Sequence, residues 1–441
     1  MRKRPKRASN DSYIKKSNHL HDEMTNVHSL FKYLFLSGFV LTGTMASAQQ
    51  QTAPKKGLKK GVNLSLNIKN KKKNPERTYF NIGLLSNYAN LNGWGTNIVS
   101  SITHHNAYGL QVAGITNVTG LNATGMQIAG IANMSGKSST GFLVGGLMNI
   151  NGKNTNGVAL SGIGNVSAGN INGLAVGGLI NLSNRESSGV LVSGLGNIAK
   201  NQNGLIVGGL MNVASDTLKG VQITSLLNAT AQANKGVQLA ALSNISVSNQ
   251  GCQIGLLNYA VQNNGMQFGL GNIETDSSKG VQIGLLNVSK DSTAHQIGLI
   301  NISPATRVQF LVGGGNLNKI TLSLRIKGRH TYTEWGGGAY YLELDEKLSA
   351  SAFYRAGIYQ PLGSRWTISG DAGFYHIETL KNKDNGYPAR MYALQPRINL
   401  AYNFTHKFGL FASGGYSWTR AYGHTHLFNH KATFEAGIVL F

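Results

Sequence analysis

From residue 109 to residue 301 the chain repeats itself, and this periodicity constrains its fold more than any other property. Gly109-Leu-Gln-Val-Ala-Gly-Ile-Thr-Asn117 is followed by Gly125-Met-Gln-Ile-Ala-Gly-Ile-Ala-Asn133, and Gly280-Val-Gln-Ile-Gly-Leu-Leu-Asn287 keeps the same plan. The closing asparagine recurs at Asn117, Asn133, Asn149, Asn165, Asn181, Asn197, Asn212, Asn228, Asn244, Asn258, Asn272, Asn287 and Asn301. The first five steps are 16 residues and later ones fall to 14–16, with a degenerate forerunner around Gly83 to Asn87. Self-similarity at a fixed short period indicates a solenoid or array.

Within a unit Leu110 and Val112 alternate with Gln111, a period of two that marks strands. A helix of eight residues holding two or three glycines would have poor propensity. Identical residues at identical places favour parallel stacking, in which equivalent positions lie about 4.8 Å apart. The asparagines are therefore expected to hydrogen-bond from coil to coil as a structural ladder. No proline occurs between residues 76 and 303, which suits unbroken ladders because proline cannot donate. From Gly251 the units lose one residue between the opening glycine and the asparagine, at the expected corner.

Several motifs inside the repeats are discounted. Asn117, Asn165, Asn181 and Asn287 each open a glycosylation acceptor pattern, but the repeat itself places a hydrophobe and a turn residue after asparagine. Cys252 stands where Leu110, Val221 and Val237 stand in sister units and is read as a small core hydrophobe. Glu186, Asp216, Glu274, Asp276 and Asp291 are expected between strands, with no fixed pair for acid–base work. Gly313-Gly314-Gly315 is not followed by the Lys-Ser/Thr of a phosphate loop.

Beyond Pro304 the composition changes. Residues 305–441 hold 23 of the 36 aromatics, against 3 in 109–304. About eight alternating segments follow, near Val308 and over 320–327, 330–344, 348–359, 366–378, 391–404, 408–422 and 432–441. Several reach the ~9–11 residues that a tilted outer-membrane strand requires. The terminal Phe441 resembles the closing signal of outer-membrane barrels. Arg325, Lys327, Arg329, Arg355, Asp371, Glu378, Arg397 and Glu435 are expected to line and pair within such a barrel. His424, His426 and His430 are read as a loop rather than a metal site.

The N-terminus carries a basic stretch, an apolar run from Tyr33 to Thr44, and Ala46-Ser47-Ala48 before Gln49. This is the plan of a secretory signal cleaved between Ala48 and Gln49, with a long basic leader before Met24. The remaining chain carries +18, with +8 in residues 49–80, +3 in 81–304 and +7 in 305–441. Lys69, Lys71, Lys72 and Lys73 lack aromatic stacking partners, so nucleic acid is not the expected partner; surface glycans or lipopolysaccharide suit an exported basic chain better.

The repeat, with Ala352-Phe-Tyr-Arg-Ala-Gly357 and the segment from His376 to Asp384, resembles the Bacteroides-type surface-repeat proteins over about residues 60–441. The resemblance implies an outer-membrane or cell-surface location in a Gram-negative bacterium and nothing catalytic.

The reading is thus all-β: a parallel β-solenoid of 14–16-residue repeats, then an antiparallel barrel-like domain of about eight strands. The divisions are 1–48 signal peptide with leader, 49–80 basic segment, 81–304 solenoid and 305–441 barrel. No catalytic, cofactor or metal residues are assigned. The expected role is structural or adhesive at the cell surface, with the outer membrane and its assembly machinery as partners. A periplasmic envelope scaffold, a glycan-active β-helix enzyme and a pore are the alternatives.

Overall fold

The computed structural model describes residues 68–69, 77–276, 279–341, 349–385, 387–405, 407–423 and 427–441. The signal cleavage positions Ala48 and Gln49 and the cluster Lys71–Lys73 lie outside them. The chain forms a parallel β-solenoid of about 14 turns followed by a closed antiparallel barrel of eight strands. It divides into two compact units, Met1–Val247 and Ser248–Phe441.

In the first unit each coil is a long strand, a tight corner, a short strand and a second corner. Ala123–Ala129 and Ala132–Ser135 make one such coil. The register with the preceding coil pairs Gly125 with Gly109, Gln127 with Gln111 and Asn133 with Asn117. The forerunner places Ser86 and Ser101, rather than Asn87, in the column of Asn117. The strand Arg77–Tyr88 pairs with Asn90–Thr103, and Ile68–Lys69 pairs antiparallel to it.

Glycine is required at the opening position by backbone geometry. Gly109, Gly125, Gly141, Gly157, Gly173, Gly189 and Gly204 have φ between 109° and 123°, a region that other L-residues avoid. They also stack on one another: a Cβ on Gly157 would stand 2.3 Å from the carbonyl oxygen of Gly141.

In the coil of Ala123–Ser135 the faces reverse an ordinary globular pattern. Gln127, Ala129, Asn133, Ser135 and Ser139 point inward and are buried. Met126 and Ile131 point outward and are 40% and 43% exposed. The expectation that Cys252 is a core residue is corrected by this arrangement, because its position lies on the outer face and is only half-buried. The inward column of Gln111 and Gln127 continues as Leu143, Ala159, Ala175, Leu191 and Ile206, so the interior alternates along its length between amide rungs and small or aliphatic side chains, with Ile171, Ala175, Leu191 and Ile206 packed as one apolar cluster. Glu274 also departs from expectation. It ends the strand Met266–Glu274 with its side chain buried, in the inward column of Ala260, where Ser289 donates to it.

In the second unit the coils up to Ile302 tighten. The strand Met266–Glu274 runs unbroken through the corner, and its register skips from Gly269–Gly284 to Gly271–Leu286. The barrel strands are Arg307–Gly315, Asn318–Lys327, Thr331–Tyr340, Ser349–Leu362, Trp366–Glu378, Arg390–Asn403, Phe408–Ala421 and Leu427–Leu440. First and last close the barrel through Phe310–Leu440 and Gly313–Gly437. Alternation along Arg390–Asn403 turns Met391, Ala393, Gln395, Arg397 and Asn399 inward, while Leu394, Ile398 and Leu400 face out.

Candidate functional site

Two features concentrate the polar chemistry of the molecule: the amide ladders inside the solenoid and the ion network inside the barrel.

In the first unit the asparagine column is hydrogen-bonded rung to rung. Nδ2 of Asn117 donates to Oδ1 of Asn133 at 2.9 Å, and the pattern continues through Asn149, Asn165, Asn181, Asn197, Asn212, Asn228 and Asn244. The second unit repeats it from Asn258 through Asn272 and Asn287 to Asn301. The same nitrogen also donates to a main-chain carbonyl of the next coil, as Asn165 does to Val176 at 3.0 Å. That carbonyl sits just before the corner, where the sheet ladder breaks, so the side chain satisfies a backbone acceptor that would otherwise be lost. Asn117, Asn165, Asn181 and Asn287 are buried with their amide nitrogens bonded, which leaves no exposed acceptor for a glycan.

A second ladder was not anticipated from the sequence, although the Gln two places after the opening glycine is its signal in the early and late units; Leu143, Ala159, Ala175, Leu191 and Ile206 take that place in between. Gln127 donates to Gln111 at 2.9 Å and Gln238 to Gln222 at 2.9 Å. In the second unit Gln267, Gln282 and Gln296 each donate to the glutamine of the preceding coil. Glutamines donate toward the N-terminal end and asparagines toward the C-terminal end, so the two rows of amide dipoles oppose each other.

These bonds make a local prediction. In Asn165→Leu the donor of Asn149 loses its acceptor, and Oδ1 of Asn181 and the carbonyl of Val176 lose their donor. Buried groups left unsatisfied cost ~1–3 kcal/mol each before relaxation, so a loss of about 3 kcal/mol is expected. Chemical denaturation followed by circular dichroism measures it; an unchanged midpoint would show that the rungs add nothing.

The barrel lumen is filled with paired charge. Arg325 bonds Glu334 at 2.7 Å, Arg355 bonds Asp371 at 2.5 Å, and Arg397 reaches both Asp371, at 3.2 Å, and Glu435. Tyr332 and Asn399 donate to the second oxygen of Asp371 at 2.6 and 2.8 Å. Arg355 also donates to Tyr375 and Gln395. Three arginines thus face three carboxylates.

Glu334 was not singled out in the sequence, although its two-residue offset from Tyr332 places both on the inward face. Two expected members lie elsewhere. Arg329 is in the turn after Asn318–Lys327 and donates to the carbonyl of Thr293. Glu378 sits at a strand end, half-buried on the outward face, with His376 and Arg390. Lys327 lies toward the mouth, with its ammonium 3.9 Å from the ring centre of Tyr359.

At that mouth a cavity of about 770 Å³ is lined by Arg307, Lys327, Arg329 and Arg365, with Trp366 and Phe441. Below it a space of about 20 Å³ reaches Tyr332 and Asn399, room for roughly one water. Phe441 donates its main-chain N–H to Lys407 at 3.2 Å.

His430 lies on the last strand, with Nδ1 2.7 Å from the hydroxyl of Tyr416. His424 and His426 lie outside the described residues. Among the described residues no three His, Cys, Asp or Glu side chains converge to hold a metal, and no helix is long and apolar enough to cross a membrane.

No family model matches this chain, and no curated protein or solved structure is significantly similar to it.

Proposed function

We propose that this is a structural protein of a Gram-negative outer membrane, in which the barrel is the membrane-spanning anchor and the solenoid is the body it holds at the membrane. The observation that carries this reading is the polarity of the barrel. Its lumen holds Arg325, Arg355, Arg397 and their carboxylates, while Leu394, Ile398, Leu400 and Phe434 cover its outside. Water would solvate the charges and leave the leucines exposed; a hydrocarbon surround favours the arrangement found.

Supporting features are strands of 9–14 residues and outer-surface aromatics gathered in two groups along the strands. One joins Trp366, Tyr402, Phe404 and Phe408; the other joins Phe374, Tyr392 and Tyr422. Such groups suit the two interfaces of a bilayer. The ion-filled lumen favours an anchor over a pore.

Refolded into phosphatidylcholine vesicles, the unheated protein is expected to migrate faster on a denaturing gel than the boiled protein. Identical mobility, with barrel strands open to protease, would sink the anchor. A second expectation concerns display. An epitope placed between Asn184 and Arg185, at an exposed corner, is expected to bind antibody on intact cells. Labelling only after the outer membrane is opened would instead favour a periplasmic scaffold.

A further inference from the structure

We infer that the solenoid is an interfacial wedge: one corner and both outer strand faces lie among the acyl chains of a single anionic leaflet, and the opposite corner lies among its headgroups. The inference deepens the anchor reading and rests on it for the presence of a membrane.

It starts from the two corners of the coil. One corner is a glycine followed by a branched aliphatic, seen at Ile115, Ile131, Leu147, Leu179, Leu195 and Leu210, and these side chains are between 41% and 44% exposed. The strands beside it present further apolar side chains outward, including the column that holds Met126, Phe142, Leu174, Val190 and Leu205. The opposite corner is polar, with exposed Lys137, Lys153, Arg185 and Lys200. Lys153 donates its main-chain N–H to the carbonyl of Lys137, so these two cations sit on adjacent coils. Like charges stacked at coil spacing repel, and anionic headgroups would relieve that repulsion.

Exposed aliphatics repeated on successive coils of the first unit make a contiguous apolar surface, the kind of feature that marks a membrane or protein contact. Dimensions decide how lipid would cover it. Standing upright, the nine coils of the first unit from Asn117 to Asn244 at ~4.8 Å would extend on the order of 40 Å, beyond the ~30 Å hydrocarbon core. Lying flat with the leucine corner down, the four-residue short strand is about 13 Å deep, close to half of that core. Only the flat arrangement puts the aliphatic columns in hydrocarbon and the basic corner among the headgroups.

The second unit adds continuity with the proposed lipid-facing wall. Thr331 and Thr333, on the outside of the barrel, donate their hydroxyls to the carbonyls of Gln296 and Leu299, each at 2.8 Å. Leu299 belongs to the Gly-Leu corner of the last coil, so in this unit the leucine corner meets the barrel's outer surface.

The test uses full-length protein in vesicles of phosphatidylcholine and phosphatidylglycerol, with Cys252→Val as background. An environment-sensitive fluorophore is placed at Leu179→Cys on the leucine corner, Ser138→Cys on the polar corner, and Ile398→Cys on the barrel wall. Leu179→Cys is expected to be quenched by spin-labelled acyl chains as strongly as Ile398→Cys, and several-fold less by aqueous iodide than Ser138→Cys. Equal iodide quenching at Leu179→Cys and Ser138→Cys overturns the wedge. Shielding from iodide without quenching by lipid also overturns it, and points to a protein surface such as a second copy.

If Ile398→Cys alone escapes lipid quenching, the anchor reading fails while the wedge stands. Wild-type protein labelled at Cys252, on the outer face of its coil, gives the same comparison without substitution should a variant misfold.

Discussion

Replacing Asp371 with alanine is expected to remove a large part of the barrel's stability. Asp371 accepts from Arg355 through one oxygen and from Tyr332 and Asn399 through the other, and it also meets Arg397. Without it Arg397 keeps Glu435, but Arg355 keeps only the neutral partners Tyr375 and Gln395. A fully buried guanidinium would then lack a counter-charge. Breaking a buried pair in this way costs ~3–5 kcal/mol, a large part of the ~5–15 kcal/mol that holds a typical domain together.

The measurement is the urea midpoint at which the unheated gel form is lost. Asp371→Asn keeps the shape without the charge and is expected to fall nearly as far. Glu378→Ala, at a half-buried strand end outside the lumen, is expected to leave the midpoint where it was. A wild-type midpoint in Asp371→Ala would mean that water reaches Arg355, and the closed-lumen account would fail.

The second large effect is expected at Gly157. Alanine there meets two obstacles at once, a φ of 110° and a Cβ that would lie 2.3 Å from a backbone oxygen. Backbone strain alone costs ~1–3 kcal/mol, and the clash cannot be relieved by a side-chain rotation. The coil must separate from its neighbour, so a loss of about 3 kcal/mol or more is expected. Because each coil contacts only adjacent ones, the damage should appear as protease cleavage near residue 157 rather than global unfolding. Gly363→Ala isolates the first obstacle: φ is 81° with nothing within 4 Å of the added Cβ, and a cost nearer 1 kcal/mol is expected. Equal resistance of Gly157→Ala and wild type to protease would refute the stacking argument.

Much of the architecture was legible in the residues. Alternation located all eight barrel strands, because inward charges and outward aliphatics differ enough to mark both faces. The repeating asparagine located the coils for the same reason that it bonds: identical side chains stack only in register. The inside of the solenoid was not legible. A period of two shows that Gln111 and Val112 face opposite ways, but it does not say which face is the interior. The habit of assigning aliphatics to cores misplaced Cys252. The correct assignment needed the cross-section of the coil, which is set by where the two corners fall. Glu274 was misread because a carboxylate two places after a ladder asparagine resembles a turn residue until its inward column is known. The ion network was legible in composition but not in membership, since Arg329 stands in the turn beyond its strand and Glu378 on the outward face of its own.

The amide ladders carry a consequence for how such a chain changes over generations. Each rung asks only for another amide above and below, and the count of rungs enters none of the bonds. An in-frame duplication or deletion of one 16-residue segment, for example between Asn149 and Asn165, would restore every donor and acceptor and change the length by about 4.8 Å. Misaligned copying of a repetitive gene produces such events readily, so the solenoid is a part whose size inheritance can adjust in uniform increments. The barrel, with its closed circuit of eight strands and its matched charges, has no comparable freedom.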